Sequence, residues 1–424
     1  MDDDLTTYLR SCSAGDGSVP ISPDTAAAKA GALVLPVMKT EHLELLAAAG
    51  RVLARVPVAE SAVPPFDNSA MDGYAINADE LIDSGPWTVP VIGTVAAGAV
   101  IRPESGPCRA IRILTGAALP PGFDTVVMQE RCERTGDTVT IFERPRPGQN
   151  VRRAGEDVEK GQTLLEIGDV LTPERLALLA GAGAASVEVF RKIRVAVLCT
   201  GSELRTPGEP LGDGQIYNSN GILVSAMLRE HAWIEVEEIG IVRDNRQLIT
   251  EIIQKAARNY DAIITTGGVS AGDEDHVAAA VIESGGSLDV MKVAMRPGKP
   301  LKIGRIGISL FAGLPGNPNA ALVCLRYIVF PALRQMAAMR EFDTQWFPAI
   351  SASTYPKKVD RTEFVPFRIA GYNPNGLPLI VFLGQGSSAS LSAIAMAEGF
   401  ARLPSELPAM EPGVRIDVNF FRRS

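Results

Sequence analysis

The sequence predicts a multidomain α/β protein, built around one domain with a mostly parallel sheet and helices on both faces. Three observations lead there. The chain has 424 residues, enough for several cores at roughly 100–200 residues per domain. From Ile193 onward, short buried-strand runs alternate with helical ones, the rhythm of an α/β domain. On either side, residues 59–157 and 343–424 read as short β-branched runs broken by Gly and Pro, the pattern of small β units.

Taken in chain order, residues 1–20 mix Asp, Ser and Gly and are expected to form a disordered lead-in. From Thr25 to Leu53 the pattern is helical, with Leu43, Leu45, Leu46 and Val52 as a packing stripe and Gly50 as a stop. The helical region 21–58 resumes at 158–191. There Thr172-Pro173-Glu174 supplies a hydroxyl cap, a proline at the first helical position and a carboxylate in the first turn. The helical pieces are expected to pack together, which makes the β segment 59–157 an insertion. Its strands read as Thr88–Val95, Ala110–Leu114, Thr125–Val127 and Thr138–Phe142.

Residues 192–342 form the α/β domain. Strand runs at Ile193–Cys199, Glu235–Ile241, Ala262–Thr266 and Ile308–Ala312 alternate with helices at Asn218–Glu230, Gln247–Arg258, Asp275–Glu283 and Asn317–Met336. In such sheets ligands sit outside the carboxyl ends of the strands. Beyond Phe342 the strands Phe364–Ile369, Leu379–Leu383 and Arg415–Phe420 fit a small barrel or a sandwich.

Composition narrows the function classes. A net charge of −8 argues against nucleic acid as the main partner, because phosphate backbones need a basic surface. The five cysteines are dispersed with no CxxC, which fits a reducing compartment and gives neither a disulfide framework nor a zinc site. The N-terminus reads Met1-Asp2-Asp3-Asp4, the opposite of a signal-peptide n-region. No run approaches the ~18 apolar residues that span a bilayer. The expectation is a cytoplasmic protein with no membrane partner.

Four strand ends lead into unusual loops. Thr265-Thr266 runs into Gly267-Gly268-Val269-Ser270, followed by Asp275 at a helix start. Consecutive glycines let backbone N–H groups approach an anion, although a tight turn uses glycine in the same way. Cys199 leads to Thr200-Gly201-Ser202-Glu203, and Val242 to Arg243-Asp244-Asn245, where a plain helix cap reads alike. Gly313-Leu314-Pro315-Gly316-Asn317-Pro318 precedes the long helix. Convergence of all four on one crevice makes a binding site the better reading. Lys292, Arg296 and Lys299 place three cations on a Pro/Gly-stiffened loop, suited to phosphate or oxyanion.

The β segment carries Pro64-Pro65-Phe66-Asp67-Asn68-Ser69-Ala70-Met71-Asp72-Gly73-Tyr74-Ala75, with Thr115-Gly116 and Arg152-Arg153-Ala154-Gly155-Glu156-Asp157. An Asx-rich turn would account for part of this. Carboxylates and hydroxyls without histidine point to a hard cation such as Mg²⁺.

Six strings in order, PPFDNSAMDGYA, RRAGED, GDGQIYNSN, TGGVSAGDED, RPGKP and GLPGNP, make the chain resemble the molybdopterin molybdenumtransferases, the MoeA and gephyrin E-domain family. The resemblance runs from about Ala27 to the C-terminus. It implies a homodimer of four-part subunits: a helical lasso region, an inserted β domain, a molybdopterin-binding α/β domain and a C-terminal β-barrel. It implies an active site between the α/β domain of one subunit and the β domain of its mate. Asp67, Thr115 and Asp157 would then act on ligand held by Glu203, Asp244, Asp275 and the Gly267–Ser270 loop, with Pro315 and Pro318 also binding substrate. The reaction implied is Mg²⁺-dependent cleavage of adenylylated molybdopterin, with molybdate delivered to the dithiolene sulfurs and AMP released. Asp244 and Asp275 would hold Mg²⁺, and Lys292, Arg296 and Lys299 the oxyanion and pterin phosphate. The preceding adenylyltransferase and the molybdoenzymes that use the cofactor are the partners this implies.

The chain departs from the family pattern after GLPGNP, where Asn319-Ala320 replaces the usual Val-Ser. That keeps open a paralogue that binds pterin without turnover, and molybdate is not separable from tungstate. A stand-alone adenylyltransferase would lack PPFDNSAMDGYA. A scaffold of the gephyrin type would be expected to carry a fused domain or linker.

Overall fold

The computed structural model describes residues 20–101, 106, 108–267, 276–384 and 390–421. Its α/β domain is a six-stranded sheet in the order Ile234–Val242, Ile193–Thr200, Ala262–Thr266, Ser309–Leu314, Pro300–Ile306 and Ser287–Lys292. The first four strands are parallel. Pro300–Ile306 runs antiparallel to both of its neighbours. The strand period of two sorts side chains between two cores. Val195, Val197, Ile264, Leu310 and Ala312 face the helix Ser219–Arg229 and the long helix after Asn317. Ala196, Leu198, Ile263 and Phe311 face the helices Arg246–Asn259 and His276–Glu283. Both faces are therefore covered, which is why these strands read as unbroken apolar runs.

The long helix is not uniform. Pro318–Cys324 is α-helical, Leu325–Val329 widens into a π turn, and Phe330–Met336 returns to α-helix. Pro331 lacks the N–H that a regular turn would use there, and the wider turn accommodates it.

The N-terminal helix Pro23–Ala32 is capped by Ser22, whose Oγ accepts the Thr25 N–H at 3.1 Å. Ala26 and Ala30 are fully buried in the same core as the long helix. The expected helix through Leu53 ends early. Pro36 interrupts it, and Thr40–Glu44 becomes a strand paired antiparallel with Ser186–Phe190. That distant partner overrides the local helical pattern. Beyond, the helix Pro173–Gly181 starts as expected, Thr172 Oγ accepting the Arg175 N–H at 3.4 Å.

Two antiparallel legs, bridged at Val58–Thr163 and Val63–Val158, carry the inserted domain. Its sheet has the order Thr125–Met128, Gly73–Ile76, Ala110–Ile113, Trp87–Val95, Thr138–Ile141 and Cys132–Thr135. A side chain on Gly73 would lie 2.1 Å from the Val127 carbonyl oxygen, so the pairing of the first two strands requires glycine there.

The C-terminal strands Phe347–Ser351, Thr362–Tyr372, Pro378–Phe382, Gly399–Leu403 and Arg415–Phe420 form a closed five-stranded barrel. Phe367, Ile380 and Val418 fill its interior. Closure settles barrel over sandwich and removes the open edges. Among the described residues no helix is long and apolar enough to cross a membrane.

Candidate active site

The first, second and third strand ends of the α/β domain are stitched together by short polar contacts. The Ser202 backbone N–H donates to the Asp244 carboxylate at 2.9 Å, and the Asp244 N–H to Ser202 Oγ at 3.4 Å. This brings Asp244 beside the loop that carries Glu203, both carboxylates being exposed. Gly267 has φ of +85°, and a Cβ there would lie 2.3 Å from the Thr200 carbonyl oxygen. Only glycine lets these two strand ends meet so closely.

The fourth strand end joins them. A Cβ on Gly316 would come 3.8 Å from Gly267 Cα. Asn220, 8% exposed in the first turn of Ser219–Arg229, donates its side-chain amide to the Gly316 carbonyl at 2.8 Å. The Asn220 Oδ1 is buried without a hydrogen-bond partner. Glu203, Asp244, Gly267 and the Pro315-Gly316 turn thus share one crevice. Gly268, Val269, Ser270 and Asp275 lie outside the described residues.

Beside the crevice is a cleft of about 420 Å³ whose walls include Arg296, Lys299, Pro315, Asn317 and Arg361. Gly298, at φ +105°, lets its loop press on the long helix: a Cβ there would meet Cys324 Sγ at 2.8 Å. The Arg296 guanidinium lies 3.8 Å from the buried Glu363 carboxylate. Lys292 is half-buried at the end of its strand, opposite Pro300. Pro318 is the first residue of the long helix, where Asn317 Oδ1 caps the Asn319 and Ala320 N–H groups at 3.2 and 3.4 Å. Arg361 is not assigned to the site from sequence. It arrives from the barrel, more than 60 positions beyond Arg296, and only the three-dimensional fold reveals that proximity.

The inserted domain holds a second polar cluster. Asp67 accepts the Ala154 N–H at 2.8 Å and the Arg153 guanidinium at 2.6 Å. The Ala154 N–H first, then Arg153, hold its carboxyl below the usual carboxylate range. Asp72 accepts the Thr115 backbone N–H at 2.7 Å and its hydroxyl at 2.8 Å, which lower its pKa in the same way. The Gly116 N–H donates to the Ser69 carbonyl at 2.8 Å. The three motifs of this domain therefore form one surface. Asp157 lies on it, exposed, its N–H donating to Val63. Asp72 and Arg153 sat inside quoted motifs, and their pairing with Thr115 and Asp67 is what sequence reasoning missed. Among the described residues of one chain, no hydrogen bond or salt bridge joins Asp67, Thr115 or Asp157 to Glu203 or Asp244.

Comparison with known proteins places these features in a family. Residues 21–183 match the model of the MoeA N-terminal region (domain I and II), residues 196–335 that of a probable molybdopterin binding domain, and residues 348–421 that of the MoeA C-terminal region (domain IV). The chain is 41% identical to the molybdopterin molybdenumtransferase of Haemophilus influenzae over 328 residues, 77% of this chain and 80% of the relative. It is 34% identical to that of Bacillus subtilis over 391 residues, 91% and 90% of the two chains. The molybdopterin biosynthesis moeA protein of Pyrococcus horikoshii OT3 superposes with a TM-score of 0.80 at 28% identity, covering 95% of this chain and 100% of that one. With all three regions matched in order, the chain belongs to the MoeA family of molybdopterin molybdenumtransferases.

Proposed function

We propose that this protein is a molybdopterin molybdenumtransferase that cleaves adenylylated molybdopterin, inserts molybdate into its dithiolene and releases AMP. The observation that carries the reading is the cationic cleft of Arg296, Lys299 and Arg361 next to strand ends bearing Glu203 and Asp244. A tetrahedral oxyanion and a phosphoanhydride need that pairing of charges.

Mg²⁺ suits the donor set. Asp244 is an exposed oxygen donor whose one oxygen is fixed by Ser202. Mg²⁺ takes one or two carboxylates and keeps several waters. Among the described residues no group of three or more ligands forms a closed metal site, and Asp275 would supply the second carboxylate. When bound, the ion neutralises charge on the anhydride. Lys292, Arg296 and Lys299 hold molybdate and the pterin phosphate. Backbone N–H groups of Gly267, Gly268, Val269 and Ser270 would donate to phosphate oxygens, and Pro315 and Pro318 stiffen the pterin wall. With both substrates fixed, an oxygen of molybdate attacks the adenylyl phosphorus, the anhydride P–O bond breaks and the pterin phosphate leaves. The two dithiolene sulfurs then bond to molybdenum and displace AMP from it, so positioning replaces a side-chain nucleophile.

In this reading the protein works as a cytoplasmic homodimer, with Asp67, Thr115 and Asp157 reaching the site of the partner subunit. It receives substrate from an adenylyltransferase and passes product to molybdoenzymes. The test is reconstitution: purified protein, adenylylated molybdopterin, molybdate and Mg²⁺ are incubated with a molybdenum-free acceptor enzyme. Acceptor activity that depends on all components supports the proposal. Tight pterin binding with no activation would favour a non-turnover paralogue and turn attention to Asn319 and Ala320, and activation by tungstate alone would reassign the metal.

A further inference from the structure

On the opposite end of the long helix from the cleft, a second cavity of about 400 Å³ opens between the α/β domain and the barrel. Two arginines of that helix, Arg326 and Arg334, reach it on either side of Pro331, together with His231. Arg326 uses Nε on Asn419 Oδ1 at 2.6 Å and Nη2 on the Phe420 carbonyl, and its guanidinium lies over the Phe421 ring at 5.1 Å. Arg334 has only long contacts, from Nη1 to the Phe342 and Asp343 carbonyls at 3.4 and 3.3 Å, and faces Phe330. Neither arginine forms a salt bridge to a carboxylate among the described residues, although Glu230, Glu341 and Asp343 also line the cavity.

Their mutual repulsion is expressed in the side chains themselves. Burial first, and then the neighbouring Arg326, push the Arg334 pKa down, against an opposing pull from the Asp343 carboxylate. The His231 ring is packed 5.0 Å from Phe330 and 5.2 Å from Trp233. Burial, then Arg334, drive its pKa to about 4, so it forms a neutral wall at neutral pH. Two half-buried guanidiniums with no carboxylate within ion-pair distance are costly to keep together, and Asp343 offsets only part of that cost at Arg334. Moreover, Arg326 belongs to the π turn Leu325–Val329, a helix irregularity that recurs at functional sites.

We propose that this cavity is a binding site for a small tetrahedral oxyanion of the phosphate class, held by Arg326 and Arg334 and separate from the cleft of Arg296 and Lys299. Planar guanidinium forks match such an anion, and bound there it bridges the long helix to the last barrel strand through Arg326 and Asn419. The ligand chemistry is shared by free phosphate, molybdate and a phosphorylated metabolite.

The test is calorimetric titration of the intact protein with inorganic phosphate, and separately with molybdate. It is run on wild type, on Lys299→Ala to weaken the cleft, and on Arg334→Gln. The expected result is phosphate binding with Kd of about 1 mM or tighter that survives Lys299→Ala and weakens at least about tenfold in Arg334→Gln. Arg334→Lys, which keeps a cation, should retain intermediate affinity. A phosphate-induced rise in Tm of wild type, absent in Arg334→Gln, separates lost binding from lost folding. No saturable binding, or binding abolished by Lys299→Ala and untouched by Arg334→Gln, would overturn the proposal. Binding of molybdate but not phosphate at the Arg334 site would identify the ion as the enzyme's own substrate and still support an oxyanion site. Because the readout is binding in the cleft variant, the outcome is independent of whether turnover is as proposed above.

Discussion

The Asn220 side-chain amide donates to the Gly316 carbonyl at 2.8 Å, across 96 positions of sequence. This bond ties the helix that begins within GDGQIYNSN to the GLPGNP turn, and the turn forms one wall of the cleft. Asn220→Ala should cost about 1 kcal/mol of stability, the net worth of one intramolecular hydrogen bond. It should also raise the KM for the pterin substrate about tenfold, because the freed turn no longer presents a fixed wall. Urea denaturation and steady-state kinetics on the same preparation check both, and an unchanged KM would show that the turn holds its shape without Asn220.

Gly267 and Gly316 make a matched pair for a second test. A Cβ on Gly267 would fall 2.3 Å from the Thr200 carbonyl, at φ of +85°, whereas on Gly316 the nearest atom is 3.8 Å away. Gly267→Ala should lose ~1–3 kcal/mol and most turnover. Gly316→Ala should stay within about 0.5 kcal/mol of wild type. Denaturant melts read the difference.

How far the sequence carries depends on whether the deciding contact is local. The helix Pro173–Gly181 and the buried strand Ile193–Thr200 announce themselves, since a Thr-Pro-Glu start and an apolar run are local signals. Thr40–Glu44 does not. Its apolar spacing around Leu43 to Leu46 suits a helix, and only pairing with Ser186–Phe190 makes it a strand. The site follows the same division. Lys299, Pro315, Asp67 and Asp244 are legible from their motifs, whereas Arg361 in the cleft wall and the Asp72–Thr115 pair depend on long-range folding.

Acid should loosen the inserted domain through Asp67. Its folded pKa is depressed by Ala154 and Arg153, so its contribution is fully present above the unfolded value of about 4 and is lost as pH falls through the lower folded value. Asp67→Asn should therefore be less stable than wild type at neutral pH, with the two curves converging as pH falls through the folded Asp67 pKa. Melts of wild type and variant between about pH 2 and about pH 7, spanning the carboxylate range, measure it. Parallel curves would mean that Asp67 makes no differential contribution.

Subunit mixing tests the proposed sharing of the site between subunits. Asp67→Asn and Asp244→Asn proteins, each inactive alone, should regain part of their turnover when co-refolded, because a mixed dimer keeps one site with both carboxylates. If the mixture stays inactive while mixed dimers are shown to form, Asp67 and Asp244 serve the same subunit's site.

The most direct measurement is AMP release from adenylylated molybdopterin by the purified protein, with molybdate and Mg²⁺ each present or omitted. The account predicts AMP release that requires both, because the anhydride is cleaved only when molybdate sits in the Arg296–Lys299 cleft and the strand-end carboxylates hold the cation. AMP released at the same rate without molybdate would contradict it, and would make the cleavage a separate hydrolysis from metal insertion.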